Sequence, residues 1–197
     1  MVRGPADQPG QWSYNRLERL EDYLSERDLI HLLVETVAQG GNLHLDISPR
    51  ADGTIPMLQQ ERLVQMGDWL RTNGEAVYGT RPWIVPAEGP MVHSLNPHLD
   101  KDWKWTKTKQ RPMVHYTRKG DAVYAICLAW PGRSLRLETP LTTPQTQVRM
   151  LDYPRPLSWQ SARKGLVIQV PEMTVSDLPC RHAWTFKLTR LKKTDGP

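Results

Sequence analysis

The stretch Gly40-Gly41-Asn42-Leu43-His44-Leu45-Asp46-Ile47-Ser48-Pro49-Arg50-Ala51-Asp52-Gly53-Thr54-Ile55-Pro56 limits the possible folds of this chain more than any other. Paired glycines end a helix, because glycine enters the left-handed region without steric cost. Leu43, Leu45 and Ile47 then alternate with polar residues, the period of a short strand. Pro49, Asp52 and Gly53 make a turn that leads to Pro56, and proline suits the first turn of a helix. The stretch is therefore expected to be a short buried strand between two helices. Such a strand needs backbone partners and cover on both faces. In α/β folds the loop at its C-terminal end is where active sites are built.

The flanking residues agree with that grammar. Ser25 is an N-cap, and Asp28 three residues later gives a carboxylate form of the capping box. Leu29, Ile30, Leu33, Val34 and Val37 recur at helical spacing up to Gly40. After Pro56, Leu63, Met66 and Leu70 share one face of a second helix, with Arg62, Gln65 and Asp68 off it, and Asn73-Gly74 ends it. One strand and two helices cannot satisfy the strand's own backbone groups. This part of the chain reads as the last helix–strand–helix of a barrel.

Beyond Trp83 the pattern changes. Pro82, Pro86, Gly89 and Pro90 mark a domain boundary, giving units 1–88 and 89–197. From about residue 100 the apolar period falls to 2. Residues 114–118 and 122–129 flank Lys119-Gly120-Asp121 as a hairpin, and 157–161 and 166–170 flank Lys164-Gly165 as a second. Residues 134–137 and 147–151 read as further strands, and the chain closes with Trp184, Phe186 and Leu188 alternating with polar residues. Short antiparallel strands with regular turns predict a β-sandwich large enough for its own core. The expected class is thus α+β and multidomain, the end of a barrel followed by an antiparallel β-sandwich; the family resemblance given below implies that this end is the C-terminal remnant of a (β/α)8 TIM barrel.

Charge is unevenly divided. Residues 1–90 hold 8 Arg, no Lys and 13 Asp/Glu, a net of −5, whereas residues 91–197 hold 18 Lys/Arg and 8 Asp/Glu, a net of +10. A basic half raises nucleic acid or an acidic glycan as partners. The cations are spread over strands and turns, with the densest group at Lys101, Lys104, Lys107 and Lys109, so a solvated surface is the expectation and no nucleic acid is assigned. No apolar run approaches eighteen residues, so no membrane span is expected. The N-terminal residues lack the apolar core of a secretory leader. Two cysteines, Cys127 and Cys180, are too few for a disulfide framework or a metal cluster. Cys127 lies in an apolar strand and is read as a buried thiol; pairing with Cys180 is left open.

Several long motifs together resemble the α-L-fucosidases of glycoside hydrolase family twenty-nine. They are Gly40 to Leu43 with Pro49-x-x-Asp52-Gly53-Thr54-Ile55-Pro56; Glu61-Arg62-Leu63; Met66-Gly67-Asp68-Trp69-Leu70; and Asn73 through Trp83. Upstream, Trp12-Ser13-Tyr14-Asn15 resembles an aromatic-x-Tyr-Asn motif. Downstream, Tyr116 to Asp121, Val123 to Ile126 and Trp130-Pro131-Gly132 resemble the C-terminal sandwich. Members are retaining exo-glycosidases with a barrel followed by a sandwich, and they use neither metal nor organic cofactor. Their chemistry needs a nucleophilic Asp and an acid/base about 5–5.5 Å apart. The resemblance places both upstream of the matched residues. It therefore implies a chain without catalytic residues, inactive alone, whose partners are a fucosylated glycan and the missing N-terminal barrel portion. The family is commonly lysosomal, secreted or periplasmic.

Among individual residues, the resemblance carries over one substrate-binding role: Trp12, whose indole would line a fucose pocket. An aromatic face suits the apolar patch around a deoxy sugar's methyl group. His44, Asp46 and Ser48 depart from the family's usual aliphatic, Asn and Gly, and on a strand would share one side as a His-x-Asp pair without a third partner. Glu61, Asp68 and Glu75 are read as solvated or capping rather than catalytic. Of the sandwich tryptophans, Trp184 is expected in the core, Trp103 and Trp105 are the open stacking candidates, and Trp130 and Trp159 complete the set. The alternative reading is a non-catalytic carbohydrate-binding or interaction module.

Overall fold

The computed structural model describes residues 14–17, 19–20, 23–94, 98–99, 105–106 and 109–192, with 93–94, 98–99, 105–106 and 109–110 described in backbone alone. Helix α1 spans Glu26–Ala38. Ser25 caps it as expected: its hydroxyl accepts the Asp28 N–H at 3.2 Å and donates to Asp28 Oδ2 at 2.5 Å. The other end closes as a Schellman motif. Gly40, at φ +79°, donates to Val37 O at 3.0 Å, and Gly41 donates to Thr36 O at 2.8 Å.

Helix α2 spans Met57–Asn73 and passes into a 3-10 turn at Gly74–Ala76. Its buried residues are Gln59, Trp69 and Asn73, while Leu63, Met66 and Leu70 are only half-buried. Arg62, read from sequence as off the packed face, is 15% exposed and donates from Nε to Leu24 O at 2.9 Å. Its aliphatic stem packs while its head satisfies a carbonyl.

Between the helices, residues 41–50 form no strand. The reason is a lack of partners: no described residue ladders with this stretch. Leu45 and Ile47 instead lean on a small cluster around Leu24, Leu29 and Met66.

The remainder is antiparallel sheet. The strands are β1 (Arg81–Ser94), β2 (His98–Leu99), β3 (Trp105–Thr106), β4 (Lys109–Lys119), β5 (Ala122–Cys127), β6 (Ser134–Leu137), β7 (Gln147–Met150), β8 (Trp159–Ser161), β9 (Leu166–Gln169) and β10 (Trp184–Thr189). One sheet has the order β1-β4-β5-β10-β7, a second β6-β9-β8, and β2 and β3 pair separately. Both hairpins read from sequence are present, with Lys119 opposite Ala122 and Ser161 opposite Leu166. The core between the sheets joins Tyr116, Val123, Ala125, Cys127, Phe186 and Leu188 to Leu135, Leu137, Leu166 and Ile168.

The five-stranded sheet is covered on both faces. Every residue of β5 is buried. Val123, Ala125 and Cys127 face the sandwich core, and Ala122, Tyr124 and Ile126 meet Ile30 and Val34 of α1 and Trp69 of α2. Hence β5 is a continuous apolar run rather than an alternating one.

The expected boundary between residues 88 and 89 falls inside β1, which pairs with β4 from Arg81–Arg118 to Ser94–Lys109. Prolines fit within β1 because it is an edge strand. A missing N–H costs nothing on the unpaired side, and proline is tolerated at edges and bulges. The β1–β4 register shifts between Pro82 and Ala87 and again between Glu88 and Met91, and Gly89 sits at φ +94°.

Candidate functional site

The loop 48–56, called the rim loop below, is built from its own sequence. Arg50 N–H donates to Thr54 O at 2.8 Å and Gly53 N–H to Arg50 O at 2.9 Å, a turn that holds Gly53 at φ +83°. The Asp52 carboxylate accepts the Thr54 hydroxyl at 2.7 Å and its N–H at 2.9 Å. Those two hydrogen bonds hold its pKa below the usual carboxylate range. Asp52 is therefore an ionised turn-former and not a proton donor. Ser48 N–H donates to the buried Gln59 Oε1 at 2.9 Å, which fastens the loop to α2.

This loop meets the second motif in space. The Arg50 guanidinium lies 5.9 Å from the centre of the Tyr14 ring, a cation–π distance. Asn15 Oδ1 accepts the Leu17 N–H at 3.0 Å and shapes the chain there. The contact of Tyr14 with Arg50 thus brings together motifs 36 residues apart. Trp12, the expected sugar-facing residue, and Ser13 lie outside the described residues.

The other expected candidates separate. His44 is exposed, Asp46 half-buried and Ser48 buried, in a stretch that forms no strand. Glu61 accepts from Gln65 at 3.2 Å, and Asp68 pairs with Arg71 at the surface. Glu75 is exposed to solvent, as read from the sequence, and is engaged as well. It accepts from Tyr124 Oη at 2.8 Å and pairs with Lys187, bridging the end of α2 to β5 and β10. Burial raises its pKa, but the Lys187 and Tyr124 hydrogen bonds outweigh that and the net shift is downward. A retaining acid/base needs the opposite direction.

Trp184 packs against the core and meets Trp130 edge-on, with centroids 5.3 Å apart. Trp159 donates from Nε1 to Thr146 O at 3.1 Å. Trp103 lies outside the described residues, Trp105 is described in backbone alone, and Lys101, Lys104 and Lys107 are likewise outside. Cys127 and Cys180 are free thiols; burial raises both, Cys180 to about 11. Among the described residues no group of three His, Cys, Asp or Glu is placed to hold a metal, and no helix is long and apolar enough to cross a membrane.

Two polar features were not visible in the sequence. Glu88 accepts from Tyr116 Oη at 2.8 Å, Glu138 N–H at 2.7 Å and Thr139 N–H at 2.9 Å, and also from the Thr139 hydroxyl. It staples the edge of one sheet to the end of the other. Beneath α1, Arg111 is 1% exposed and pairs with Glu35. Beside them His31 donates from Nε2 to His182 O at 2.9 Å, which fixes the neutral tautomer because a carbonyl only accepts. Burial above all, with the Arg111 charge adding, lowers both His31 and His115 to about 4. Trp69 Nε1 donates to Ala183 O at 2.9 Å and Thr117 Oγ1 to Ala76 O at 2.7 Å. These groups fasten the helices to the sandwich.

A barrel end seated on a β-sandwich is the class that this geometry defines. Known proteins give the family. The family model described as alpha-L-fucosidase matches residues 6–75, and that of the alpha-L-fucosidase C-terminal domain matches residues 102–189. Human tissue alpha-L-fucosidase is 41% identical over 92% of this chain and 35% of its own length. The Branchiostoma floridae alpha-L-fucosidase is 37% identical over 90% of this chain and 35% of its own. The Thermotoga maritima alpha-fucosidase in complex with fucose superposes with a TM-score of 0.67 at 31% identity, covering 90% of this chain and 37% of that one. The chain belongs to the α-L-fucosidase family. It corresponds to the C-terminal portion of its relatives and spans about a third of their length.

Proposed function

We propose that this chain forms the C-terminal part of a retaining α-L-fucosidase that removes terminal α-L-fucose from glycans. In this reading its rim loop 48–56 and the Tyr14–Asn15 segment line the sugar pocket, and Trp12 faces the sugar. The observation that carries it is the contact of Arg50 with Tyr14, within a chain that matches fucosidases along nine-tenths of its length. Asp52 is held ionised and Glu61, Asp68 and Glu75 are engaged with partners, so none of these four supplies the acid/base. The nucleophile and the acid/base come from a preceding portion of the barrel, whose strands also ladder with residues 43–47. The sandwich begins at Arg81 in this proposal, so that all of β1 belongs to it.

The test is release of 4-nitrophenol from 4-nitrophenyl α-L-fucoside. The chain alone is expected to show no turnover, and mixing with a separately produced N-terminal barrel portion is expected to restore it. Turnover by the chain alone, or none from the mixture, contradicts the proposal.

A further inference from the structure

A groove of about 530 Å³ opens at the end of the sandwich remote in sequence from the rim loop. It lies where three segments meet: the β8–β9 hairpin, the β6–β7 loop and the chain after β10. Hydrogen bonds knit the three together. Thr142 Oγ1 and Ser161 Oγ are 3.1 Å apart, Lys192 N–H donates to Leu141 O at 2.9 Å, and Thr143 Oγ1 donates to Arg190 O at 2.8 Å. The hairpin turn is seated on β6 itself. Gly165 stands at φ +69°, and a Cβ there would lie 1.8 Å from Leu137 O. The groove is therefore preformed, and only glycine permits its floor.

Its lining carries three cations and one carboxylate. Arg163, Lys164 and Lys192 border it, and among the described residues none of the three has an ion-pair partner. The one carboxylate among the described lining residues, Glu138, is matched by Arg136 at 3.4 Å. Three unneutralised cations around one small cavity repel one another, and an oxyanion relieves that repulsion while gaining charge-assisted hydrogen bonds. The Thr142 and Ser161 hydroxyls and the exposed Leu141 side chain add the mixed polar and apolar contacts that a sugar ring takes. Among the described residues no aromatic side chain lines the groove, so they offer no stacking platform of the kind single-stranded nucleic-acid sites use.

From this we infer that the groove is an accessory site for an anionic oligosaccharide, in which Arg163, Lys164 and Lys192 bind a sulfate ester or a carboxylate on the sugar. The choice of a glycan as carrier rests on the fucosidase reading above. Binding and turnover are read separately, so failure here leaves the complementation result standing, and the reverse holds too.

The experiment titrates the purified chain by calorimetry with a sulfated fuco-oligosaccharide, the same oligosaccharide desulfated, a uronate-containing oligosaccharide and a single-stranded oligonucleotide of equal charge. Arg163→Ser with Lys164→Ser removes two exposed charges and leaves Gly165 in place; Lys192→Gln is a separate variant. Binding of the sulfated or the uronate sugar, weakened at least tenfold in the double variant and severalfold in Lys192→Gln, supports the site and names the anion. Unchanged affinity in the variants, equal binding of the desulfated sugar, or tighter binding of the oligonucleotide overturns it.

Discussion

The segment 41–50 and strand β5 begin from similar sequence material and end in different states. Both alternate or run apolar over five or six residues, and both lie next to α1. β5 has β4 on one edge and β10 on the other, and its two faces are sealed by the sandwich core and the helices. The segment 41–50 has no ladder partner among the described residues and leans on Tyr23, Leu24, Leu29, Leu32 and Met66 through Leu45 and Ile47 alone. Apolar alternation therefore specifies a strand only when the chain also supplies the neighbours. The sandwich is complete in that respect, and the barrel end is not.

Core truncation separates the two regions most strongly. Phe186→Ala, at a fully buried site between the sheets, is expected to cost about 3–5 kcal/mol. Leu45→Ala in the half-buried segment is expected to cost about 1 kcal/mol or less. Urea denaturation of both variants checks the contrast, and equal costs would place the segment within the cooperative core.

The fastening between the regions is sharpened by the Arg111–Glu35 pair. Arg111→Met leaves Glu35 without its buried partner and is expected to cost about 3–5 kcal/mol. Adding Glu35→Leu is expected to recover most of that loss, because an apolar pair avoids desolvating two charges. A double variant no more stable than Arg111→Met would show that the pair's geometry, not its charge, holds α1 on the sheet.

The same interface also gives a definite pH sign. His31 and His115 are depressed to about 4 from an ordinary value of 6.5. The unfolded chain then binds more protons between those values, so stability is complete above about pH 6.5 and falls as pH drops toward 4. Their surroundings, Arg27, Asp28, Glu35, Arg111 and the His182 carbonyl, offer no carboxylate that reverses the shift. Unfolding free energy is expected to fall by about 2 kcal/mol per histidine from pH 7 to pH 5. His115→Gln should flatten the profile by about half. A profile unchanged by that variant would place the acid sensitivity elsewhere.

Much of this architecture is legible in the residues. Ser25 with Asp28, the Gly40–Gly41 stop, the two hairpins and the inward Phe186 and Leu188 follow from local rules that do not depend on distant neighbours. What was hidden depends on who packs against whom. Pro82, Pro86 and Pro90 lie in β1, whose place at the sheet edge no local pattern shows. Arg111 reads as one more surface cation until α1 covers it. The links of Glu75 to Tyr124 and Lys187, and of Glu88 to Tyr116 and Thr139, join residues far apart in sequence and have no local signal. Of the site, the rim turn around Asp52 was readable as chemistry, but its contact with Tyr14 was not, since only the fold brings positions 14 and 50 together.

Amide hydrogen exchange at Leu43, Leu45 and Ile47, measured on the chain alone and again with the N-terminal barrel portion, tests the central claim most directly. The account predicts rapid exchange at these three amides in the isolated chain beside strong protection across β5, with protection appearing at Leu43–Ile47 once the barrel strands are added. Protection of those amides as strong as that of β5 in the chain alone would contradict it.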